Sequence, residues 1–336
     1  MLNLLKELCK IPSVSGREDR LREFIIGQID GHCSYEVDSS GNLICFKKGK
    51  KPTAKKIMVD AHMDEVGIIA SYITSDGFVK FRTVGGIDTS VMLARKVVFE
   101  NGRVGAVGMK PVHLLSDDEK KTLPKADSLY IDIGAASKEE AESLISVGDT
   151  AVFYSEPTDM EDTLLARGID DKAGVSVLIK LLLSDAEYDF YATFTVQEEV
   201  GLRGAKTAAF ALSPDAAVIL EATTAADLYG VSDALKVCRL GYGPAISFMD
   251  RSTLYNKKLF DFANAIPVPH QVKEYVSGGN NAGAVHLSKS GVPAVTVSLP
   301  TRYIHSPSCV ANINDLDNMY KYSEALINSL ASGEAL

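Results

Sequence analysis

Cysteine is scarce and scattered in this sequence. Cys9, Cys33, Cys45, Cys238 and Cys309 are odd in number and nowhere stand in a Cys-x-x-Cys spacing, which argues against a disulfide framework or a thiolate zinc cluster and fits a reducing, cytoplasmic setting. Basic runs are lacking too. Lys and Arg total 35 against 44 Asp and Glu, for a net charge of −9, so no nucleic-acid partner is expected. No apolar stretch approaches the ~18–20 residues that span a membrane, and Lys6 and Glu7 interrupt the N-terminal apolar run before it could act as a signal segment. No membrane association is expected. Fixed-period repeats, low-complexity segments and charged tails are also missing.

What remains is a globular chain of 336 residues, 46% hydrophobic, long enough for two domains or for one with a large insertion. Leu2 to Leu8 and Leu21 to Ile29 have helical period, the second preceded by Ser15 and Glu18 in capping-box spacing. Tyr35 to Phe46 reads as a hairpin and Lys56 to Ala61 as a strand. From Val66 to Pro157 short β-like runs and glycine turns dominate, with one helical patch at Lys138 to Ile145. This stretch predicts an inserted, mainly β domain (66–157) within a catalytic domain made of residues 1–65 and 158–336. Beyond it strands and helices alternate: a helix from Val175, a strand Phe190 to Val196, a helix Gly201 to Leu212 and a strand Ala216 to Leu220. Further on come helices at Leu259 to Ala265 and Ala284 to Ser290, a strand Val292 to Leu299 and a last helix Leu316 to Leu330. The alternation implies an α/β fold, a mixed sheet with helices on both faces.

In open α/β sheets the site lies beyond the carboxyl ends of the strands. His62, Glu198, Glu199, Glu221 and His305 each fall at or just after such an end, and Asp170 enters a helix beside them. A pair of adjacent glutamates taken alone is more commonly a solvated strand end, and a lone histidine a structural one. Adjacent carboxylates aimed into one site need a cation, a shared proton or water. Two imidazoles with several carboxylates and no thiolate suit two divalent ions per subunit, zinc or cobalt before manganese, and an aspartate can bridge two ions with its two oxygens. Of Asp170 and Asp171, one belongs at the helix N-cap, and capping accounts for only one.

The chain resembles the M42 family of metallo-aminopeptidases, the glutamyl and deblocking group of the dinuclear zinc exopeptidases. The resemblance spans nearly the whole length and rests on Ser13 to Glu18, His62-Met63-Asp64-Glu65-Val66-Gly67, Gly85 to Asp88, Gly105 to Leu114, Ile131 to Gly134, Asp170 to Gly174, Gln197 to Gly201 and Arg302 to Pro307. It implies His62 and Glu221 as ligands of one metal, Glu199 and His305 of the other, and Asp170 as the bridge. Glu198 becomes the general base and Asp64 the acid that orients a ligating imidazole. It also implies a cis Asp170-Asp171 bond and a homo-oligomer, up to a dodecamer, built by the inserted domain. Three positions depart from the family pattern: Lys172 for arginine, Glu221 for aspartate, and Gly278-Gly279-Asn280-Asn281-Ala282 for Gly-Gly-Thr-Asp-Ala.

The expected function is hydrolysis of the N-terminal residue from short peptides by metal-activated water, with Glu198 taking the proton. Two alternatives stand beside it: an M20-type metal-dependent deacylase or carboxypeptidase, and a metal-stabilised peptide-binding scaffold without turnover.

Overall fold

The computed structural model describes residues 1–53 and 55–333. Two helices open the chain, α1 (Leu2–Lys10) and α2 (Asp19–Ile29), and bury Leu5, Leu8, Leu21, Ile25 and Ile29. Helix α1 stops at an extended Ile11, as the residue before a proline avoids helical angles. The capping box does not form. Ser15 Oγ donates to Asp64 Oδ2 (2.6 Å), and Glu18 Oε1 accepts from the amides of Gly16 (2.7 Å) and Gln197 (3.1 Å). Both side chains are recruited across the fold instead of onto the first turn.

Strands β1 (Ser34–Val37) and β2 (Leu43–Lys47) make the expected hairpin, and β3 (Ile57–His62) follows. Next come β4 (Gly67–Ile73), β5 (Val79–Val84), β6 (Lys96–Phe99), β7 (Val104–Gly108), β8 (Tyr130–Asp132), α3 (Lys138–Leu144) and β9 (Thr150–Phe153). The six strands β4 to β9 close a barrel in the order β4-β5-β8-β7-β6-β9. Its interior, around Phe81, Phe99, Val107 and Ile131, is a hydrophobic cluster of its own.

The chain continues through β10 (Thr158–Met160), β11 (Thr163–Ala166), α4 (Ile169–Leu183), β12 (Phe190–Thr195), α5 (Arg203–Leu212), β13 (Ala216–Thr224) and β14 (Ala245–Ile246). It ends with α6 (Lys257–Asn264), β15 (Gln271–Val272), α7 (Ala282–Val285), β16 (Ala294–Arg302), β17 (Cys309–Asn312) and α8 (Ile313–Ser332). The main sheet runs β1-β2-β12-β3-β13-β16-β17-β11-β10. Its centre, β12-β3-β13-β16, is parallel and its flanks are antiparallel, so the α/β mixed sheet is as expected. Strands buried on both faces need apolar residues at every position. Ile57, Val59, Ala61, Ala216, Val218 and Leu220 pack with α1, α2, α4 and α8, whereas Met58, Ala217 and Ile219 pack with α5 and α7 on the opposite face.

Two helices differ from expectation for local reasons. Helix α5 starts two residues late because Gly201 (φ 120°) and Leu202 (φ 57°) are left-handed. Helix α7 is shorter than the expected Ala284 to Ser290: it ends at Val285, and it starts at Ala282 because Asn280 Oδ1 accepts from the Ala282 amide (2.9 Å). Among the described residues, no helix is long and apolar enough to cross a membrane.

Candidate metal centre

Strand period carries the first two groups to one place. With Met58 on the α5/α7 face, Asp60 and His62 fall on it too, and because Ile219 pairs with Asp60, Glu221 arrives level with His62 on the next strand. His62 Nε2 lies 3.3 Å from Glu221 Oε1. Helix α4 brings the third group. Asp171 takes the capping role, its Oδ1 accepting from the Gly174 amide (2.9 Å). Asp170, joined to it by a cis peptide bond, is left to face the imidazoles.

The two oxygens of Asp170 are divided between the histidines: Oδ1 is 3.2 Å from His62 Nε2, and Oδ2 is 3.3 Å from His305 Nε2. His305, left-handed at φ 61° in the loop after β16, has Glu199 Oε1 at 3.3 Å. Two groups of potential metal-binding atoms result, His62–Asp170–Glu221 and Asp170–Glu199–His305, each with its atoms within 4.8 Å of one another. They share Asp170. Glu198 belongs to neither, although it lines the same cleft.

Both histidines present a bare nitrogen to this cluster. His62 Nδ1 donates to the Asp64 carbonyl (2.9 Å) and His305 Nδ1 to the Gly86 carbonyl (2.8 Å), which leaves each neutral ring an Nε2 lone pair facing two carboxylate oxygens. Lone pairs facing carboxylates repel unless a cation or a proton lies between them. Glu199 Oε1 is buried without a hydrogen-bond donor, a need that a cation at this position would meet. The residues fit a pair of divalent ions with N and O ligands. A proton can relieve the same crowding. Burial opposes a charge on His305, but Asp170 and Glu199 push its pKa up to about 11. Burial pushes Glu221 up to about 8 and raises Glu198 and Glu199 as well.

Asp64 acts differently from a simple imidazole partner. Its main-chain carbonyl holds His62, while its carboxylate Oδ1 is 3.5 Å from that ring and accepts from the Glu198 amide (2.9 Å), with Oδ2 accepting from the Glu199 amide (3.1 Å). Glu18 takes the amide of Gln197. Three successive amides at the end of β12 are thus tied by two carboxylates, which orients the Glu198-Glu199 pair.

Sequence reasoning gave Glu18 only a capping role and quoted Glu65 and Gly86 within motifs without a role for either. Glu65 is buried against Arg167 Nη1 (2.5 and 2.6 Å) and Lys172 Nζ (2.6 Å). The two cations, bracketing Asp170 in sequence, also reach the carbonyls of Lys10 (3.3 Å) and Ile11 (2.8 Å). Burial works against the Glu65 charge, yet Arg167 and Lys172 hold its pKa below the ordinary range. Asp60 was missed altogether. It accepts from Thr193 Oγ1 (2.5 Å) and Asn281 Nδ2 (2.8 Å), so the asparagine that departs from the family pattern serves as donor to a buried carboxylate. An aspartate at 281 would set two carboxylates in contact, and one would have to be protonated.

A family model described as M42 glutamyl aminopeptidase matches residues 41–322. A protein of Acetivibrio thermocellus is 41% identical over 329 residues, covering 96% of each chain. The structure of an aminopeptidase from the archaeon Desulfurococcus kamchatkensis superposes with a TM-score of 0.91 at 37% identity, covering 97% of this chain and 93% of that one. The Pyrococcus horikoshii TET1 peptidase, which can assemble into a tetrahedron or a large octahedral shell, gives 0.84 at 35% identity, covering 97% and 98%.

Proposed function

The chain belongs to the M42 glutamyl aminopeptidase family and is a hydrolase of the aminopeptidase class; from that premise we propose that it removes the N-terminal residue from short peptides with two divalent ions per subunit. His62 and Glu221 would hold one ion, Glu199 and His305 the other, and Asp170 both, with zinc or cobalt favoured over manganese. The observation that carries this reading is the division of the two Asp170 oxygens between two imidazoles whose other nitrogens are already committed. When bound, such ions polarise a carbonyl and lower the pKa of water toward ~7.

Glu198 is the general base in this reading. It lines the cleft, is excluded from both ligand groups, and is held in place through its amide by Asp64. It takes a proton from the attacking water and returns it to the departing amine. In this reading the substrate's free α-amino group is held at the site, which limits cleavage to the first residue. Residues 66–157 are proposed as an inserted domain that builds a homo-oligomer of the kind the TET1 peptidase forms, on a catalytic domain of residues 1–65 and 158–336. A cytoplasmic location goes with the five unpaired cysteines, which a reducing compartment keeps as thiols.

The test is a panel of aminoacyl arylamides and their N-acetylated forms, assayed after chelation and after reloading with zinc, cobalt or manganese. Free-amine substrates should be cleaved only by reloaded protein, and acetylated ones not at all. Turnover that survives chelation, or that prefers acylated or C-terminal substrates, sinks the proposal in favour of another hydrolase type.

A further inference from the structure

The cleft that holds the metal-binding groups has a volume of about 140 Å³, and one stretch of its wall, Gly278-Gly279-Asn280, carries no carboxylate. Both glycines are exposed, and among the described residues neither glycine amide has an acceptor within the protein. A Cβ on Gly278 would meet nothing within 4 Å, so the space beside this stretch is open. Glycine main chain has more conformational freedom than any other. Here that freedom is taken away.

The hold comes from a segment outside the cleft, Asp250 to Tyr255. The Arg251 amide donates to the Gly278 carbonyl (2.8 Å). Asp250 is 2% exposed; its Oδ1 accepts from the amides of Ser252 and Thr253 (both 2.8 Å) and from Ser252 Oγ (2.9 Å). Its Oδ2 accepts from Tyr255 Oη (2.7 Å) and Asn280 Nδ2 (3.2 Å), and Asn280 Oδ1 accepts from Thr296 Oγ1 of β16 (3.2 Å). A buried polar network whose members are paired is rigid and specifies one arrangement. Ser252 also holds the glycines by contact. A Cβ on Gly279 would lie 2.9 Å from Ser252 Oγ and 3.3 Å from its Cβ, and one on Gly283 2.5 and 2.6 Å from the same atoms. The hydroxyl cannot swing aside without leaving Asp250, so both positions need glycine for close approach.

We propose that the Gly278-Gly279 main chain is an edge that binds the main chain of a peptide substrate beyond the scissile bond, and that Asp250 and Ser252 are the positioning residues that hold this edge ready. This inference rests on the aminopeptidase reading: with the first residue at the metal-binding groups, the main chain left to reach the edge is that of the leaving peptide. Main-chain hydrogen bonds recognise a peptide whatever its side chains, and a preset edge loses less entropy on binding than a mobile one. An arylamide, whose leaving group has no carbonyl, cannot use such an edge.

The test compares KM and kcat for leucyl p-nitroanilide and Leu-Gly-Gly, and for the corresponding glutamyl and lysyl pairs, on the metal-loaded full chain. For each first residue that is cleaved, Gly279→Ala should raise the KM of the tripeptide about tenfold relative to that of the arylamide, with kcat moving less. Adding Ser252→Gly removes both colliding atoms and should return that ratio toward the wild-type value. Asp250→Asn, which sets a donor against Tyr255 or Asn280, should raise the same ratio with Gly279 untouched. Equal changes for both kinds of substrate, or no recovery in the double variant, overturn the proposal. Hydrogen exchange on the metal-loaded Glu198→Gln chain needs no change in the loop: Leu-Gly-Gly should slow exchange over residues 277–282 more than leucinamide does, and equal protection by the two overturns the proposal as well. If the wild type cleaves neither kind of substrate for any first residue, the aminopeptidase reading fails separately, and the exchange comparison alone decides about the edge.

Discussion

The half of the proposed metal centre around His62 is carried by the main sheet, whereas the half around His305 is assembled from three distant pieces. His62 and Glu221 end adjacent parallel strands, and their side chains are 1% and 8% exposed. His305 is 29% exposed, sits in a left-handed loop, and depends on the Gly86 carbonyl just beyond β5 of the barrel. Its partner Glu199 depends on Asp64 for its backbone position. The same chemistry, one imidazole and one glutamate on a shared aspartate, is thus supported by the core in one half and by long-range contacts in the other. The first half should form with the sheet; the second should form only when barrel, loops and sheet have all come together.

The most severe way to break this comparison is Asp170→Asn, which removes the carboxylate common to both groups. Elemental analysis should find both ions lost and turnover reduced to background; retention of either ion means that the halves do not share Asp170. Glu198→Gln should spare both halves and still cost ~10²–10⁴ in turnover, the usual range for a general base. Glu199→Gln should lower occupancy of the outer half alone, because a neutral amide is a poor replacement for a ligating carboxylate. The reverse pattern of metal loss would exchange the two roles.

Replacing a whole segment sharpens the asymmetry. Replacing residues 66–157 with a short linker takes away Gly86 together with the barrel, so the chain should keep about one tightly bound ion at the His62 half and lose the other. Light scattering on the same protein should report a smaller assembly. Two retained ions would mean that the loop holds His305 unaided.

The smallest effect is expected at Glu18. Burial raises its carboxyl from the ordinary 4.5 to about 7, so the folded state binds its proton more tightly than the unfolded chain does. Its stabilising contribution is fully present below pH 4.5 and is lost as pH rises through 7, up to roughly 3 kcal/mol across that window. Glu18→Gln keeps the shape without the titration, and its thermal midpoint should fall less steeply than the wild type's over the same pH range. Parallel profiles would place the slope elsewhere.

Much of the fold was legible locally. Uninterrupted apolar runs such as Ile57-Met58-Val59 and Ala216 to Leu220 belong to strands buried on both faces, and the period of Leu21, Ile25 and Ile29 to a helix with one buried face. The capping-box reading of Ser15 and Glu18 failed because Asp64 and the Gln197 amide, remote in sequence, compete for those side chains. Of the two aspartates, spacing alone left open which one caps. The Gly174 amide selects Asp171 and so releases Asp170.

The sequence by itself determined which residue types reach the carboxyl edge of the sheet, since a strand's end and its alternation of faces are local properties of the chain. Only the tertiary structure decided how those groups are held. Whether Asp64 orients an imidazole or two glutamate amides, and whether Gly86 belongs to the site, are decided by contacts between segments far apart along the chain. No local pattern encodes them, because hydrogen bonds and charges respond to distance in space and not to separation in sequence.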